Sequence, residues 1–243
     1  MDSHRPVGDI LTGWTPAPAP GPSVLEGRYA RLERLSAKAH AAPLFAANSA
    51  DARIWDYLPY GPFDTVEAYS AWVEAMAPGS DPMFYAIRDQ DSGLWGGVAS
   101  YLRIAPEVGS IELGHINLSP RLQGTRAATE ALTLMIRWAM EAGYRRFEWK
   151  CDALNAGSRR AAERLGLSYE GTFRQATIVK GRNRDTAWFA ATDGDWPALS
   201  TAYDSWLAPE NFTSDGQQRQ SLTALTAPIL VAQDPARKAR ERG

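Results

Sequence analysis

The sequence predicts a mixed α/β (α+β) fold, in which strands and helices alternate along a chain of 243 residues. Two observations carry this prediction. Two pairs of strand-like segments are each joined by a short run of turn-forming residues, which is typical of antiparallel hairpins. Other segments place apolar residues on one side at helical spacing, and that pattern indicates helices packed against a sheet.

The first half of the chain is predicted to contain a strand, two helices and three further strands. A short strand over 28–35 is followed by a helix over 36–48. Asp64 and Glu67 resemble a capping box, which predicts the start of the second helix. The three strands are expected at 83–89, 94–104 and 110–118, and the turn residues between the first two predict a hairpin.

The second half contains the clearest helix of the sequence. Its apolar stripe runs from Ala128 to Ala142, and Gly143 is placed to end it. The remaining elements are, in order, a strand at 146–151, a short helix at 158–165, a hairpin of 167–180 with 185–192, and a helix that begins after Asp195.

The sequence predicts one folded domain, residues 26–193, with extensions at both ends. Residues 1–25 are rich in Pro, Gly and Ser, which favours a flexible, solvated arm. Residues 194–212 hold the added helix, and its apolar face predicts docking on the core. Residues 213–243 are expected to form a polar tail, with enough apolar residues at 222–231 to dock locally.

The composition excludes several classes of protein. Lys and Arg number 26 against 28 Asp and Glu, so the near-neutral chain lacks the clustered basic charge of a nucleic-acid-binding protein. No apolar run approaches the roughly 18–20 residues of a membrane span, and no signal peptide is recognisable, so we expect a cytoplasmic protein. A single cysteine excludes an internal disulfide, and three scattered histidines argue against a metal site.

The segment Leu118–Ala131 carries the clearest chemical signal. A predicted strand ends there, and a loop containing Arg121, Gly124 and Arg126 enters a helix. The first N–H groups of a helix are unpaired and carry partial positive charge, so they bind phosphate well. Gly124 allows close approach of a ligand to the backbone, and the arginines add cationic donors. A plain connecting loop with solvated arginines is the alternative interpretation.

This loop and the element order resemble the GNAT superfamily of acetyl-CoA-dependent N-acyltransferases. The family's pyrophosphate loop reads Arg/Gln-x-x-Gly-x-Gly/Ala, which is matched at Arg121 and Gly124, whereas Arg126 replaces the usual Gly or Ala. The run Ala128-Thr129-Glu130-Ala131 is similar to a helix start of the branch that acetylates ribosomal-protein N-termini. Further similarities to that branch lie at Ile111–His115, at Asn155-x-x-Ser158 and at Gly166–Gly171. The resemblance covers about residues 26–193.

The resemblance implies a mostly antiparallel central sheet flanked by helices, with the coenzyme A cleft between two splayed central strands. It also implies acetyl-CoA as acyl donor and a primary amine as acceptor, either a peptide N-terminus or a small molecule. A non-catalytic acyl-CoA-binding or regulatory module is the alternative. No metal, nucleic acid or membrane is implied, and a homodimer is compatible with the resemblance. The residues expected to contact the cofactor are Leu118, Arg121, Gln123, Gly124, Thr125, Arg126, Ala127, Asn155 and Ser158.

Arg126 has two interpretations, because its side chain either crowds the pyrophosphate or pairs with it. Amine acetylation also needs an unprotonated amine, which makes a general base useful. Glu112 is the first candidate, since it lies on the strand leading to the loop, and a paired structural carboxylate is the equal alternative. His115 has suitable chemistry and is a candidate acceptor contact, but on a regular strand it would face away from Glu112.

The general acid is a separate question. Many family members use a tyrosine to protonate the leaving thiolate, and that position aligns with Ala162 in this sequence. Ser158 is the substitute candidate, directly or through water. A role as helix N-cap is at least as good an interpretation of Ser158.

An aromatic cluster lies between the first two helices, in a segment that borders the acceptor site in this fold. Its side chains are suited to an apolar wall with hydrogen-bonding edges, and packing of the loop on its own core is the alternative. The cluster consists of Trp55, Tyr57, Tyr60 and Phe63.

A basic run at the tip of the final hairpin contains Lys180, Arg182 and Arg184. We interpret it as a solvated charge run, with attraction of an acidic acceptor as the alternative. Cys151 alternates with Phe147 and Trp149 and is therefore expected to be a buried strand residue, not a nucleophile.

Overall fold

A central sheet of eight strands organises the protein in a computed structural model that describes residues 5–236. The strands are β1 (Val24–Glu26), β2 (Ala30–Arg34), β3 (Met83–Asp89), β4 (Trp95–Ala105), β5 (Ser110–Leu118), β6 (Arg146–Asp152), β7 (Ser168–Val179) and β8 (Arg182–Thr192). Their spatial order is β1-β2-β3-β4-β5-β6-β8-β7, and every neighbouring pair is antiparallel except β5 and β6. The predicted fold class, a mixed and mostly antiparallel sheet flanked by helices, is confirmed.

Within residues 5–236, six α-helices accompany the sheet: α1 (Ala37–Asn48), α2 (Val66–Met76), α3 (Arg126–Glu141), α4 (Ala156–Arg164), α5 (Trp196–Leu207) and α6 (Leu222–Thr226). Strand β3 shows how they divide. Phe84 and Ala86 pack into the apolar cluster beneath α1 and α2, whereas Tyr85 and Ile87 pack into the larger cluster with α3 and α4. The sheet therefore has an α1–α2 face and an α3–α4 face. Within the described residues, no helix is long and apolar enough to cross a membrane.

The central strands β5 and β6 pair only over a short stretch, in which Ser110–Glu112 face Arg146–Glu148. Beyond it, β5 continues along β4 and β6 continues along β8. The two strands diverge, so across residues 113–118 and 149–152 no ladder joins them in the described structure. The resulting gap lies between the two central strands of the sheet.

Strand β5 also contains a β-bulge. Two steps along β4, from Val98 to Ser100, correspond to three steps along β5, from Asn117 to Gly114. His115 sits at the extra position with a φ of 50°. An extra residue reverses the alternation of side chains further along a strand. Accordingly, the residues of β5 on the α3–α4 face are Ile111 and Leu113 before the bulge, and Ile116 and Leu118 after it.

The predicted elements occur in the predicted order, but β1 and α6 were not predicted, and two helix starts differ from the prediction. The N-cap of α2 is Thr65, whose Oγ1 accepts a hydrogen bond from the Ala68 N–H at 3.2 Å, so the capping box at Asp64 was wrong by one residue. The N-cap of α4 is Asn155, whose Oδ1 accepts from the Ser158 N–H at 3.0 Å. Ser158 therefore lies inside the helix and is not its cap.

The N-terminal arm is attached more closely than its composition predicts. Ala17 is buried, and the chain around it is tied to the sheet by two tyrosines. Tyr144 Oη donates to the Pro18 carbonyl at 2.9 Å, and Tyr85 Oη donates to the Pro22 carbonyl at 2.8 Å. Residues of this stretch are extended, as expected, but are not simply solvated. Residues 1–4 lie outside the described structure.

The C-terminal extension docks over much of its length. Helix α5 buries Leu199 and Tyr203 in the core of the α3–α4 face, as its apolar pattern predicts. The tail also docks at 222–234, where Leu222 is fully buried and Asp234 forms an ion pair with Arg159. The last part of the predicted tail, residues 237–243, falls outside the described residues.

Candidate active site

A cleft of about 1000 Å³ opens on the α3–α4 face. One wall combines the end of β5, the following loop and the start of α3, with Leu118, Gly124, Thr125, Arg126 and Ala127. The opposite wall is α4, and the third side is formed by the C-terminal extension, including Trp206, Phe212 and residues 216–218. Five residues predicted to contact a cofactor thus line one cavity together.

The loop before α3 is shaped by two residues. Thr125 is the N-cap of α3, because its Oγ1 accepts from the Ala128 N–H at 3.0 Å and donates to the Leu122 carbonyl at 2.8 Å. Gly124 has a φ of 72°, and no atom lies within 4 Å of the position that a Cβ would occupy. Its backbone is therefore open to the cleft. The first N–H groups of α3 lie in the same wall, and this donor set fits a phosphate group.

Arg126 is held to the side of the cleft by aromatic rings. Its guanidinium carbon lies 4.6 Å from the ring centroid of Tyr29 and 4.8 Å from that of Phe212. A longer ion pair, at 3.6 Å, joins it to Asp91. The arginine that replaces the usual glycine or alanine is thus accommodated by the C-terminal extension, and its charge remains in the cleft lining.

Arg121 and Gln123 brace the loop from outside the cleft lining. Arg121 Nη2 donates to the backbone carbonyl of Trp95, and Gln123 Nε2 donates to the carbonyl of Leu118 at 2.9 Å. The Arg121 bond fixes the loop to the start of β4, and the Gln123 bond fixes it to the end of β5. The arrangement assigns these two side chains a role in shaping the loop.

Ser158 links α4 to strand β6. Its Oγ accepts a hydrogen bond from Trp149 Nε1 at 2.9 Å. Burial raises the pKa of the neighbouring Cys151 thiol to about 11, although the Ser158 hydroxyl opposes this effect. Cys151 is therefore a buried, protonated thiol, as its position in the strand predicts. Ala162 is fully buried, so the position where a family tyrosine would stand carries no acid.

An ion-pair network occupies the α1–α2 face at the point where β5 and β6 separate. Glu112 is 2% exposed, and both of its oxygens accept from Arg103 Nη1 at 2.8 Å. Lys150 Nζ lies 2.9 Å from Glu112 Oε2 and 2.7 Å from Glu148 Oε2. The same ammonium lies 3.9 Å from the ring centroid of Trp188. A base role for Glu112 requires an amine or water to compete with these cations for its oxygens.

His115 lies on the same face as Glu112, so the expectation that they face opposite sides was wrong. The ring of His115 is 5.1 Å from that of Phe84, which packs beneath α1 and α2. Glu112 forms an ion pair with Lys150. Trp149, the neighbour of Lys150 on β6, packs on the α3–α4 face, so Lys150 and Glu112 lie on the α1–α2 face. The cause is the bulge in β5, because its extra residue reverses the alternation between the two side chains.

The environment of His115 keeps its imidazole neutral at pH 7. Its ring stacks on Tyr60 with a centroid distance of 5.6 Å and an interplanar angle of 17°. Burial, followed by the positive charges of Arg103 and Arg184, lowers the pKa of His115 to about 4. A neutral imidazole accepts hydrogen bonds, but with this pKa it is a weak proton acceptor.

The aromatic cluster divides into core and site residues. Trp55 is only 5% exposed, and its ring centroid lies 5.4 Å from Phe63 and 6.3 Å from Tyr69. Trp55 and Phe63 therefore belong to the core beneath α1 and α2. This agrees with the alternative interpretation, in which the loop packs on its own core. Placing Trp55 in a substrate wall was wrong because its indole packs inward.

Tyr57 and Tyr60 are placed nearer the gap. Tyr57 is 39% exposed, and its Oη donates to the carbonyl of Leu154, at the loop between β6 and α4, at 3.3 Å. The Tyr60 hydroxyl is buried, and no residue in 5–236 bonds it. Of the predicted acceptor contacts, the structure brings Tyr60 and His115 together, whereas Tyr57 contacts the loop between β6 and α4.

The basic hairpin tip is not a uniform solvated run. Lys180 Nζ donates to the Trp55 carbonyl at 2.8 Å, and burial lowers the pKa of Lys180. Arg182 is exposed, whereas Arg184 is half-buried. The interpretation as solvated charge therefore holds for Arg182 alone.

Sequence reasoning missed several residues of the α1–α2 face, namely Arg103, Asn117, Lys150 and Trp188, and it did not connect Arg184 with them. The four missed residues come from four different strands, β4, β5, β6 and β8, and no local motif joins them. The sequence did contain one signal for Lys150. It lies between Trp149 and Cys151 on a predicted strand, so its side chain had to face the opposite side of the sheet from theirs. In the part of the chain that the structure describes, no three His, Cys, Asp or Glu residues are grouped closely enough to hold a metal ion.

Comparison with known proteins identifies the family. A family model described as an acetyltransferase (GNAT) domain matches residues 31–168, more than half of the chain. The chain belongs to the GNAT acetyltransferase family. It is 45% identical to a GCN5-related N-acetyltransferase from Brucella melitensis, with 89% of this chain and 100% of that one aligned at a TM-score of 0.87.

Two further structures place this GNAT protein more broadly. A probable acetyltransferase of the GNAT family from Chromobacterium violaceum is 42% identical over 80% of this chain and 98% of that one, with a TM-score of 0.75. RimL, described as a ribosomal L7/L12 alpha-N-protein acetyltransferase in complex with coenzyme A, is 20% identical over 70% of this chain and 98% of that one (TM-score 0.57). The likeness to RimL shows a shared fold only. No curated protein matches the chain.

GNAT enzymes take their acetyl group from acetyl-CoA, and the residues present fit this donor. The wall around Gly124 and Thr125 supplies unpaired N–H groups suited to phosphate. The edge of β5 beyond Glu112 has no strand partner across the gap in the described structure, so its peptide groups are available to a ligand with amide groups. The family membership makes the protein an acetyltransferase. Its acceptor is a separate question.

Proposed function

We propose that this protein transfers the acetyl group of acetyl-CoA directly to a primary amine, of a peptide N-terminus or a small molecule, within a ternary complex. One observation carries the proposal: β5 and β6 stop pairing beyond Glu112 and Glu148, between the cleft of the α3–α4 face, which Leu118 lines, and the polar cluster of the α1–α2 face. Two substrates that enter from opposite faces meet in this gap. Cys151, the only cysteine, is unsuited to carry the acetyl group because it is buried and protonated.

Acetyl-CoA supplies the activated acetyl group, and the α3–α4 face would hold it. We assign the pyrophosphate to the start of α3, with Gly124, Thr125, Arg126 and Ala127 in contact. The backbone near Leu118, on the unpaired edge of β5, would bind the part of the donor nearer the thioester. Arg121, Gln123 and Asn155 support this site by fixing its loops.

The chain's own side chains would handle the protons. When the amine nitrogen attacks the thioester carbonyl, an N–C bond forms, the C–S bond breaks and the amine loses a proton. Glu112 is the proposed acceptor of this proton, directly or through water, at the separation of β5 and β6. Ser158 is the proposed donor to the leaving thiolate, directly or through water, since its Oγ accepts from Trp149 Nε1 and its proton, which faces the Cys151 sulfur, would turn to the thiolate.

A panel of amines and peptides tests the proposal. Free thiol should appear only when both acetyl-CoA and an amine are present, and mass spectrometry should show one added acetyl group on the amine. A folded protein that binds coenzyme A by calorimetry but acetylates no amine would contradict the proposal. That result would support the alternative, a non-catalytic acyl-CoA-binding module, for which the buried Ala162 is the supporting observation.

Replacing Glu112 tests the base. Glu112→Gln should lower the acetylation rate by about 10²–10⁴-fold and change the pH–rate profile, because that is the range contributed by positioned bases. Coenzyme A affinity, measured by calorimetry, should not change. Glu148→Gln is the matched control, since Glu148 also pairs with Lys150 but lies on β6. An unaltered pH–rate profile for Glu112→Gln would exclude Glu112 and leave His115 as the candidate.

A further inference from the structure

Arg184 stands at the open end of the gap on the α1–α2 face. Strand β8 pairs regularly with β6 up to Thr186, which faces Asp152, the last residue of β6. Trp188 lies on the α1–α2 face, because its ring packs against the Lys150 ammonium. Side chains two and four residues apart on a regular strand share a face, so Arg184 points to the same side.

The positive charge of Arg184 acts on one residue of each strand that borders the gap. Besides the larger effect of burial, this guanidinium lowers the pKa of His115 on β5 and acts in the same direction on Cys151 of β6. The guanidinium therefore lies within electrostatic range of both strands. This is the position at which an acceptor amine must approach if the proposed function is correct.

Arg184 has no anionic partner among residues 5–236. Its Nε is buried without a hydrogen-bond acceptor, whereas the nearby cations Arg103 and Lys150 share the carboxylate of Glu112. Two further donors of this face, Trp188 Nε1 and the Tyr60 hydroxyl, are also buried without partners. Buried donors left unpaired are costly, so the face has an excess of donors that a ligand would satisfy.

We propose that the acceptor amine carries a carboxylate, which Arg184 binds. This inference rests on the proposed function and names its substrate class. The guanidinium fork matches a carboxylate in two parallel hydrogen bonds. One unpaired cation balances a monoanion, whereas a phosphate dianion would bring a second negative charge towards Glu112. Phe173, half-exposed and stacked on Trp188 at 4.6 Å, adds an apolar surface beside the site.

The carboxylate has two sources, a free amino acid or an acidic side chain near a peptide N-terminus. Matched acceptors separate them: phenylalanine against phenethylamine, and tripeptide amides with Glu against Gln at the second position. The carboxylate member of at least one pair should have the higher kcat/KM. Arg184→Gln should lower kcat/KM for that member by roughly 10- to 100-fold and leave its neutral partner unchanged.

Three controls make the outcome decisive. Arg182→Gln removes an exposed cation from the same hairpin and should change neither acceptor. Arg184→Lys keeps the charge but loses the fork, so it should restore only part of the preference. Coenzyme A affinity of Arg184→Gln, measured by calorimetry, should match that of the unaltered protein, which shows that the fold and the cofactor cleft are intact.

Failure of this inference differs from failure of the proposed function. If neutral and carboxylate amines are acetylated equally, or if Arg184→Gln slows both alike, the carboxylate site is wrong although the enzyme is an N-acetyltransferase. If no amine is acetylated, calorimetry of phenylalanine and the Glu tripeptide with the coenzyme A complex still tests Arg184. Binding weakened by Arg184→Gln supports the site, and absent or unchanged binding overturns it.

Discussion

The two faces of the central sheet are assembled in different ways. On the α3–α4 face, the ten residues from Leu118 to Ala127 supply the end of a strand, an open glycine, a helix cap and a helix start in one run. On the α1–α2 face, the polar cluster draws single residues from distant segments, namely Tyr60, Arg103, Glu112, His115, Lys150, Arg184 and Trp188. A contiguous site is recognisable as a motif, whereas a dispersed site depends on topology.

The faces also differ in which polar groups remain without a protein partner. Around the cleft of the α3–α4 face, the side chains of Thr125, Arg126 and Arg121 all have protein partners, and within the described chain the unpaired groups are the first N–H groups of α3 and the Ser119 hydroxyl. On the α1–α2 face, buried donors of Tyr60 and Trp188 have none in residues 5–236. We interpret the first face as a preformed binding surface and the second as one that its ligand completes.

If the α3–α4 face is preformed, the contacts that hold α3 should dominate stability. The Glu130 carboxylate is 4% exposed and accepts from the N–H groups of Arg28, Tyr29 and Ala30 at 2.5–2.9 Å. Glu130→Ala leaves three buried donors unpaired and should lower the free energy of unfolding by about 3–5 kcal/mol. Urea denaturation measures this change.

Glu141→Ala is the matched control for this clamp. Glu141 is on the same helix, its side chain is 56% exposed, and its contact with Arg137 is a surface pair. Its loss should be within about 0.5 kcal/mol. Equal effects of the two substitutions would show that Glu130 does not hold the helix to the turn before β2.

How much of the structure the sequence predicts also differs between contiguous and dispersed features. The strands at 83–89 and 110–118 and the loop before α3 were predictable, because alternation, capping and turn chemistry act over a few neighbouring residues. The bulge at His115 was not, since β5 has no glycine at the positive-φ position to mark it. The partners of Glu112 were equally hidden, because they depend on the order of strands in the sheet.

The two faces should also respond differently to acid. His115 has a folded-state pKa of about 4, below the usual 6.5, so between these values the unfolded chain binds more protons than the folded protein. Stability is therefore full above pH 6.5 and is lost as the pH falls towards 4. The loss attributable to His115 should be on the order of 2–3 kcal/mol.

The difference between the unaltered protein and His115→Gln isolates this contribution. Burial also lowers the pKa of His40, but His40 is present in both proteins, so its contribution cancels in the difference. The pH dependence of the unfolding free energy should be shallower for His115→Gln between pH 6.5 and 4. Parallel curves would mean that His115 is not shielded as the stack on Tyr60 indicates.

A smaller substitution tests whether the cleft is preformed at Gly124. Alanine at a φ of 72° is strained, so Gly124→Ala should lower the free energy of unfolding by about 1 kcal/mol. Its methyl group also enters the open wall and should weaken coenzyme A binding several-fold. Gly143→Ala, with a φ of 96° and an equally open surrounding, should show a similar loss of stability.

Calorimetry with coenzyme A distinguishes the two glycines. Only Gly124→Ala should change the dissociation constant, since Gly143 ends α3 at the far side of the helix from the cleft. Equal affinities for both variants would indicate that phosphate does not approach the backbone at Gly124.

The bulge in β5 changes which side chains of this strand lie on each face of the sheet. Up to Gly114 the strand is in one phase, and from His115 onwards it is in the opposite phase. Because of this phase change, Glu112 and His115 lie together on the α1–α2 face, where we propose that the acceptor binds, while Leu118 lies on the α3–α4 face, which we propose holds acetyl-CoA. A one-residue deletion at the bulge would restore a regular ladder and turn Leu118 to the α1–α2 face, so in this proposal the spacing between Glu112 and Leu118 matters independently of their identities.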